Sequence, residues 1–255
     1  MKKKKKCPFC HKSPPDIHFT NEHVLRDKFN ELFPWSPKEI IWENKTLNTN
    51  GGFDVTPRTI PHGPFDSTVN SVCNECNSGW MNQLEDRAEI LLLNLFYGQP
   101  VLIDETQRLN LALWSVKTAA VYALKHRDDL PGFPKNHYRL LRNKLKPPPL
   151  TYVWFSKSNF NHNTHLRYIR SGIVGEIENT FYLSTINIGQ AALFILGCST
   201  EKALSALSRE IELRDDFSER IWPSTKKRPG QKLLIRDHDE LMRVGAFITA
   251  KSVNE

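Results

Sequence analysis

Two C-x-x-C motifs, "CPFC" at 7–10 and "CNEC" at 73–76, limit how this chain folds more than anything else in it. Two residues between cysteines make a turn tight enough to aim both sulfurs at one point. Two such turns supply the tetrahedral set of thiolates that zinc takes. Cys7, Cys10, Cys73 and Cys76 are therefore expected to share one structural Zn²⁺ ion. That ion would staple the N-terminus to the start of the helix after Asn77. A redox dithiol is the other use of such pairs. Cys198 lies in an apolar run and reads as a buried core thiol.

A chain of 255 residues is long enough to bury a sizeable core. Its 39% hydrophobic and 25% charged residues read as globular. No apolar run approaches the roughly 18 residues of a membrane helix. The N-terminal lysines lead into no apolar stretch, so a cytoplasmic setting with no membrane partner is the expectation. The net charge is +7, but Lys2 to Lys6 supply most of it, so the basicity is local. That run reads as a solvated tail or as a phosphate-binding arm. "KNHYRLLRNKLK" at 135–146 and "KKRPGQK" at 226–232 are basic and free of acids. They attract phosphates if they share a face.

Residues 1–80 are rich in Pro, Asn, Gly and Cys, and "TLNTNGGFDVTPRTIPHGPFD" reads as loops with short strands. Within them Leu25, Phe29, Leu32 and Phe33 recur at helical spacing, predicting a helix over about 24–33 that Pro34 ends. Thr20 and Asn21 are candidate caps for it. From Met81 the periodicity strengthens. Leu84, Ala88, Leu91, Leu92 and Leu95 share one helical face, and Gly98 and Pro100 end it. "ETQRLNLALWSVKTAAVYALKHR" predicts a second helix and "HYRLLRNKL" a short third, before the break at "KPPPL". "TYVWFS", "THLRYIRSG" and "NTFYLSTINIGQAALFILGC" read as strands, "EKALSALSREIE" as a helix, and the tail after Trp222 as irregular. Trp114 and Trp154 read as packing residues. The expected fold is α+β, with a unit over 1–90 and a second over 91–255 in which helices precede a small antiparallel sheet.

A tetrathiolate zinc site leaves no coordination position open, so it is structural and activity must come from elsewhere. Between the cysteine pairs Glu22 and His23 are adjacent; Asn70 precedes the second pair and Asn77 follows it. C-x-x-C, then E-H, then Asn beside C-x-x-C-N resembles the HNH endonucleases of the ββα-metal, or His-Me finger, superfamily. "VCNECNSGWMNQLE" is similar to the end of the motif in zinc-stapled members, and the resemblance spans about residues 7–86. It implies a zinc-stapled ββα-metal nuclease unit over 1–90, with 91–255 an α+β accessory domain for target choice, dimerisation or docking of a partner protein. It implies His23 as general base, Asn70 orienting its ring, and Glu22 and Asn77 holding a catalytic Mg²⁺ or Mn²⁺. DNA is the implied substrate, with RNA left open, and phage defence or a mobile element the implied setting. Asn74 and His62 are stand-ins for Asn70. Arg26 stands where members often have proline, and Asn77 where histidine is more frequent.

The chemistry is coherent in itself. A neutral imidazole accepts a water's proton near neutral pH. Hard divalent ions prefer the oxygens that Glu and Asn offer. The competing readings are local: Asn77 as a helix N-cap, Glu22 at a helix N-terminus, and the whole unit as a zinc-stapled nucleic-acid-binding module without catalysis.

Overall fold

The structure is a computed structural model that describes residues 4–47, 53–125, 133–159, 164–173, 176–225 and 234–246. After the first cysteine turn the chain enters strand β1 (Phe19–His23) and then a single helical turn, α1 (Phe29–Leu32). The helix expected over 24–33 is thus mostly absent, and Thr20 and Asn21 lie in a strand instead of capping it. The aromatic spacing has a tertiary cause. Phe29 packs edge-on against Phe33, Phe65 and Phe96 at centroid distances of 5.8, 5.7 and 5.7 Å. Residues distant in sequence hold these rings, so they need no continuous helix beneath them, and tertiary packing overrides a weak local preference.

Strands β2 (Ile40–Leu47) and β3 (Phe53–Ile60) form one antiparallel ribbon, paired from Ile40↔Ile60 to Leu47↔Phe53, where the sequence suggests mainly loops. Strand β4 (Thr68–Cys73) then returns to pair with β1. Cys73 ends it and leads into helix α2 (Asn74–Cys76). The chain makes a wide turn over Asn77–Met81, kinked at Gly79, whose φ −90° and ψ −110° are not helical, and continues as α3 (Asn82–Phe96). All five predicted face residues of α3 are buried. Helix α4 (Glu105–Ala123) opens on a capping box between Asp104 and Gln107. Every residue of α4 from Leu111 to Ala123 is buried, Lys117 included. Helix α5 (Lys135–Lys144) follows as expected.

The remainder is a sheet with helices packed on it. Strands β5 (Thr151–Ser158), β6 (Thr164–Ile173), β7 (Glu176–Ile188) and β8 (Ala191–Cys198) precede helices α6 (Glu201–Ser205) and α7 (Ser208–Phe217). Strands β9 (Glu219–Trp222) and β10 (Leu234–Ile235) and helix α8 (His238–Ala246) complete the described chain. The sheet order is β10-β5-β8-β7-β6, with β9 also on β5, and the pairings are antiparallel except β10 with β5. Three expectations change here. The long apolar run splits at Gly189 into the β7–β8 hairpin, the helix after Cys198 is two helices, and the tail carries β10 and α8. Strand β8 is buried at every position because both faces of the sheet are covered, which explains its lack of alternation.

One apolar core runs from Phe9 through Leu84 and Trp114 to Ile195 and Ile221. A second cluster on the other face of the sheet joins Trp154 and Phe194 to Ile211 and Leu241. No described helix is long and apolar enough to cross a membrane.

Candidate functional site

The four cysteines converge. The sulfurs of Cys7, Cys10, Cys73 and Cys76 all lie within 4.8 Å of one another, and none is in a disulfide. Between the two motifs, Cys7 and Cys76 lie 3.9 Å apart and Cys10 and Cys73 3.6 Å apart. A tetrahedron of Zn–S bonds near 2.3 Å has S–S edges of about 3.8 Å, so the set fits a zinc ion. Backbone geometry builds the first turn: His11 N–H donates to the Cys7 carbonyl at 2.8 Å and Cys7 N–H to the Lys12 carbonyl at 3.0 Å. The second turn is a strand end running straight into a helix. The clustered thiols perturb one another. The Cys76 thiol donating to Cys7 pulls the Cys7 thiol down to about 4. Burial chiefly pushes Cys73 up to about 11, opposed by its backbone hydrogen bond with Cys76, and Cys76 is raised as the donor to Cys7. Four packed sulfurs can all ionise only around a positive ion. Cys198 is separate, fully buried in β8, with its thiol pushed up to about 12 by burial.

The β1–β4 pair that this cluster clamps carries the other predicted residues, and strand parity sorts them. Thr20 pairs with Val72, Glu22 with Val69 and His23 with Thr68. Two β4 residues, Asn70 and Ser71, therefore oppose the single Asn21, which is a β-bulge. Neighbouring strand residues point to opposite faces. Thr20, Glu22, Val69 and Val72 take the inner face, and Asn21, His23 and Thr68 the outer. Asn70 joins the outer group, donating to Asn21 Oδ1 at 3.0 Å. Asn77, in the widened turn, donates through Nδ2 to Thr20 Oγ1 at 3.0 Å and so belongs to the inner face. It sits at the C-terminal end of α2 and makes no N-cap hydrogen bond. By face, His23 and Asn70 lie on the outer side and Glu22 and Asn77 on the inner, and the Asn70 amide is bonded to Asn21, not to the His23 ring. Neither stand-in is bonded to His23: Asn74 Oδ1 accepts from His18 N–H at 3.3 Å, and the His62 ring contacts the Gly63 carbonyl.

On the inner face Glu22 is 5% exposed and meets a lysine that sequence reasoning passed over. Lys117, fully buried in α4, lies 3.4 Å from Glu22 and 2.6 Å from Glu85. Arg26 reaches the same α3 surface, at 2.6 Å from Asp86 and 3.9 Å from Glu85. Burial raises the Glu22 carboxyl above its ordinary value, opposed chiefly by Lys117. The available signal was a single charge in the otherwise uncharged stretch of α4 from residue 109 to 123, which requires a buried partner. Thr68, across from His23, was missed because register is invisible until both strands are known. The basic segment at 226–232 lies outside the described residues.

No family model, curated protein or solved structure matches this chain.

Proposed function

We propose that the protein is an HNH-type endonuclease that hydrolyses phosphodiester bonds in DNA, with His23 as general base. The observation that supports this most is the clamp of four cysteines on β1, β4 and the following helix. It holds His23 on an outward face beside Thr68 and the Asn70 bulge. In this reading the His23 imidazole takes a proton from water as the water oxygen bonds to phosphorus. The P–O ester bond breaks, and the departing oxygen takes up a proton from solvent. Asn70 and Asn21 contribute amide groups on the same face for orienting the phosphate. A divalent ion supplies charge stabilisation of the departing oxygen when bound.

Lys117 lies 3.4 Å from Glu22, and Asn77 donates through Nδ2 to Thr20 Oγ1. Mg²⁺ and Mn²⁺ therefore enter this proposal as added ions in the assay, with no ligand set assigned to them. The same observation favours a second reading, a zinc-stapled nucleic-acid-binding module without catalysis.

Plasmid nicking with Mg²⁺ or Mn²⁺ separates the two, with matched RNA substrates run alongside. The nuclease reading expects cutting by the wild type and loss of cutting with retained binding in His23→Ala. Binding by the wild type without cutting under either ion leaves the binding module.

A further inference from the structure

Helix α5 carries a basic stripe that its own stability does not explain. Lys135, Arg139 and Arg142 stand four and then three residues apart, which places them on one side of the helix. His137, Tyr138 and Leu141 take the side turned to the core. Three cations of the acid-free run at 135–146 therefore share a face, over about 10 Å of helix axis. The helix dipole favours Arg142 and Lys144 in the last turn. It opposes Lys135, which opens the helix with no acid in the first turn.

The stripe also lacks counter-charges. Among the described residues, none of the three takes part in an ion pair or a side-chain hydrogen bond. Elsewhere cations sit on acids: Lys12 on Glu75, Arg26 on Asp86, Arg108 on Glu219 and Lys202 on Glu176. Packing fixes the helix against the cysteine cluster. Tyr138 meets Phe9, inside the first cysteine turn, edge-on at 5.2 Å. Glu75 chiefly raises the Lys12 ammonium and the like charge of Arg142 opposes it, so the stripe runs up to that turn. Uncompensated cations on a fixed helix attract anions. Their axial spacings of about 6 and 4.5 Å suit a chain of repeated charges better than one compact anion. A bilayer is a poorer partner, because α5 turns its apolar side to the core.

We infer that Lys135, Arg139 and Arg142 form a docking surface for the phosphate backbone of a nucleic-acid duplex, beside the cysteine-clamped unit that carries His23. This rests on the nuclease reading for the identity of the partner, though not for the docking itself. The surface reads no base, because contacts to phosphate carry no sequence information.

The test uses the full chain with zinc added, on a His23→Ala background, binding a labelled duplex across a salt series without divalent ions. Each phosphate contact contributes about 0.9 to the slope of log affinity against log salt. Lys135→Gln, Arg139→Gln and Arg142→Gln together are expected to lower that slope by about two to three, equally for unrelated sequences. Exchanging the charges in kind, Lys135→Arg with Arg139→Lys and Arg142→Lys, should keep it. An unchanged slope in the Gln variant overturns the docking surface and leaves the nuclease reading standing. A lowered slope beside a wild type that nicks no plasmid supports the surface and overturns the nuclease reading. Anionic vesicles or polyglutamate that displace the duplex at equal charge overturn the nucleic-acid assignment. Should the triple variant fail to fold, Lys135→Gln alone, at an exposed helix start, carries the same comparison with an expected change of about one.

Discussion

Replacing Lys117 with methionine tests a fully buried charge where β1, α3 and α4 meet. The lysine side chain is 0% exposed, and its partners Glu22 and Glu85 are 6% and 12% exposed. Methionine fills similar volume but leaves two nearly dry carboxylates without an ammonium. Breaking a buried pair in this way costs about 3–5 kcal/mol. Arg26, 3.9 Å from Glu85, compensates in part, so the lower end applies, about 3 kcal/mol. With a urea dependence of about 3 kcal/mol per molar, the unfolding midpoint should fall by about 1 M. The sign of the pH dependence follows from Glu22. Its folded-state carboxyl already lies above the ordinary 4.5, and losing Lys117 raises it further. A group whose folded value is raised costs nothing once both states are protonated, and its full cost appears above the folded value. The gap between wild type and variant should therefore narrow as pH falls from about 8 to about 5. Protonation of the four clustered cysteines at low pH would affect both proteins alike, so the difference between them is the quantity to read. Adding Glu22→Gln and Glu85→Gln to Lys117→Met should recover most of the loss. A loss under about 1 kcal/mol, or a gap that does not change with pH, refutes the buried-pair argument.

Elemental analysis should find one zinc per chain, and Cys76→Ser should abolish it. Hydrogen exchange should then show β1 and β4 losing protection while β7 and β8 keep theirs, and lower pH should release the metal as protons compete for the thiolates. Gly189 has φ +53°, and a Cβ there would lie 2.4 Å from the Phe96 carbonyl oxygen. Gly189→Ala should cost about 2 kcal/mol or more in thermal unfolding. Gly98→Ala should cost less, because the added atom meets only the movable side chain of Gln190. Asp215 accepts from Trp154 Nε1 and Arg220 Nε, both at 2.8 Å. Asp215→Ala should destabilise by about 3 kcal/mol in chemical denaturation, and Asp215→Asn by less.

Where the sequence was readable, the governing physics was short-range. Two residues between cysteines already define a turn that aims two sulfurs, so the cluster of Cys7, Cys10, Cys73 and Cys76 followed from spacing alone. The apolar face of α3 repeats every turn, and the five positions expected on it are all buried. Lys117 was readable in kind, as a charge inside an apolar helix, but its partners Glu22 and Glu85 come from other elements. The segment around Glu22 and His23 went the other way. Its aromatic spacing matches a helix, yet those rings belong to a cluster with Phe65 and Phe96, and β1 exists because β4 pairs with it.

The sequence by itself therefore determined the sulfur cluster, the two long helices, the strand-rich second half and the local basicity. Only the tertiary structure decided which face each predicted active group takes. That choice depends on the register of β1 against β4 and on one extra residue at Asn70. Side chains alternate with a period of two, so a shift of a single position sends a carboxylate to the core and an imidazole to solvent.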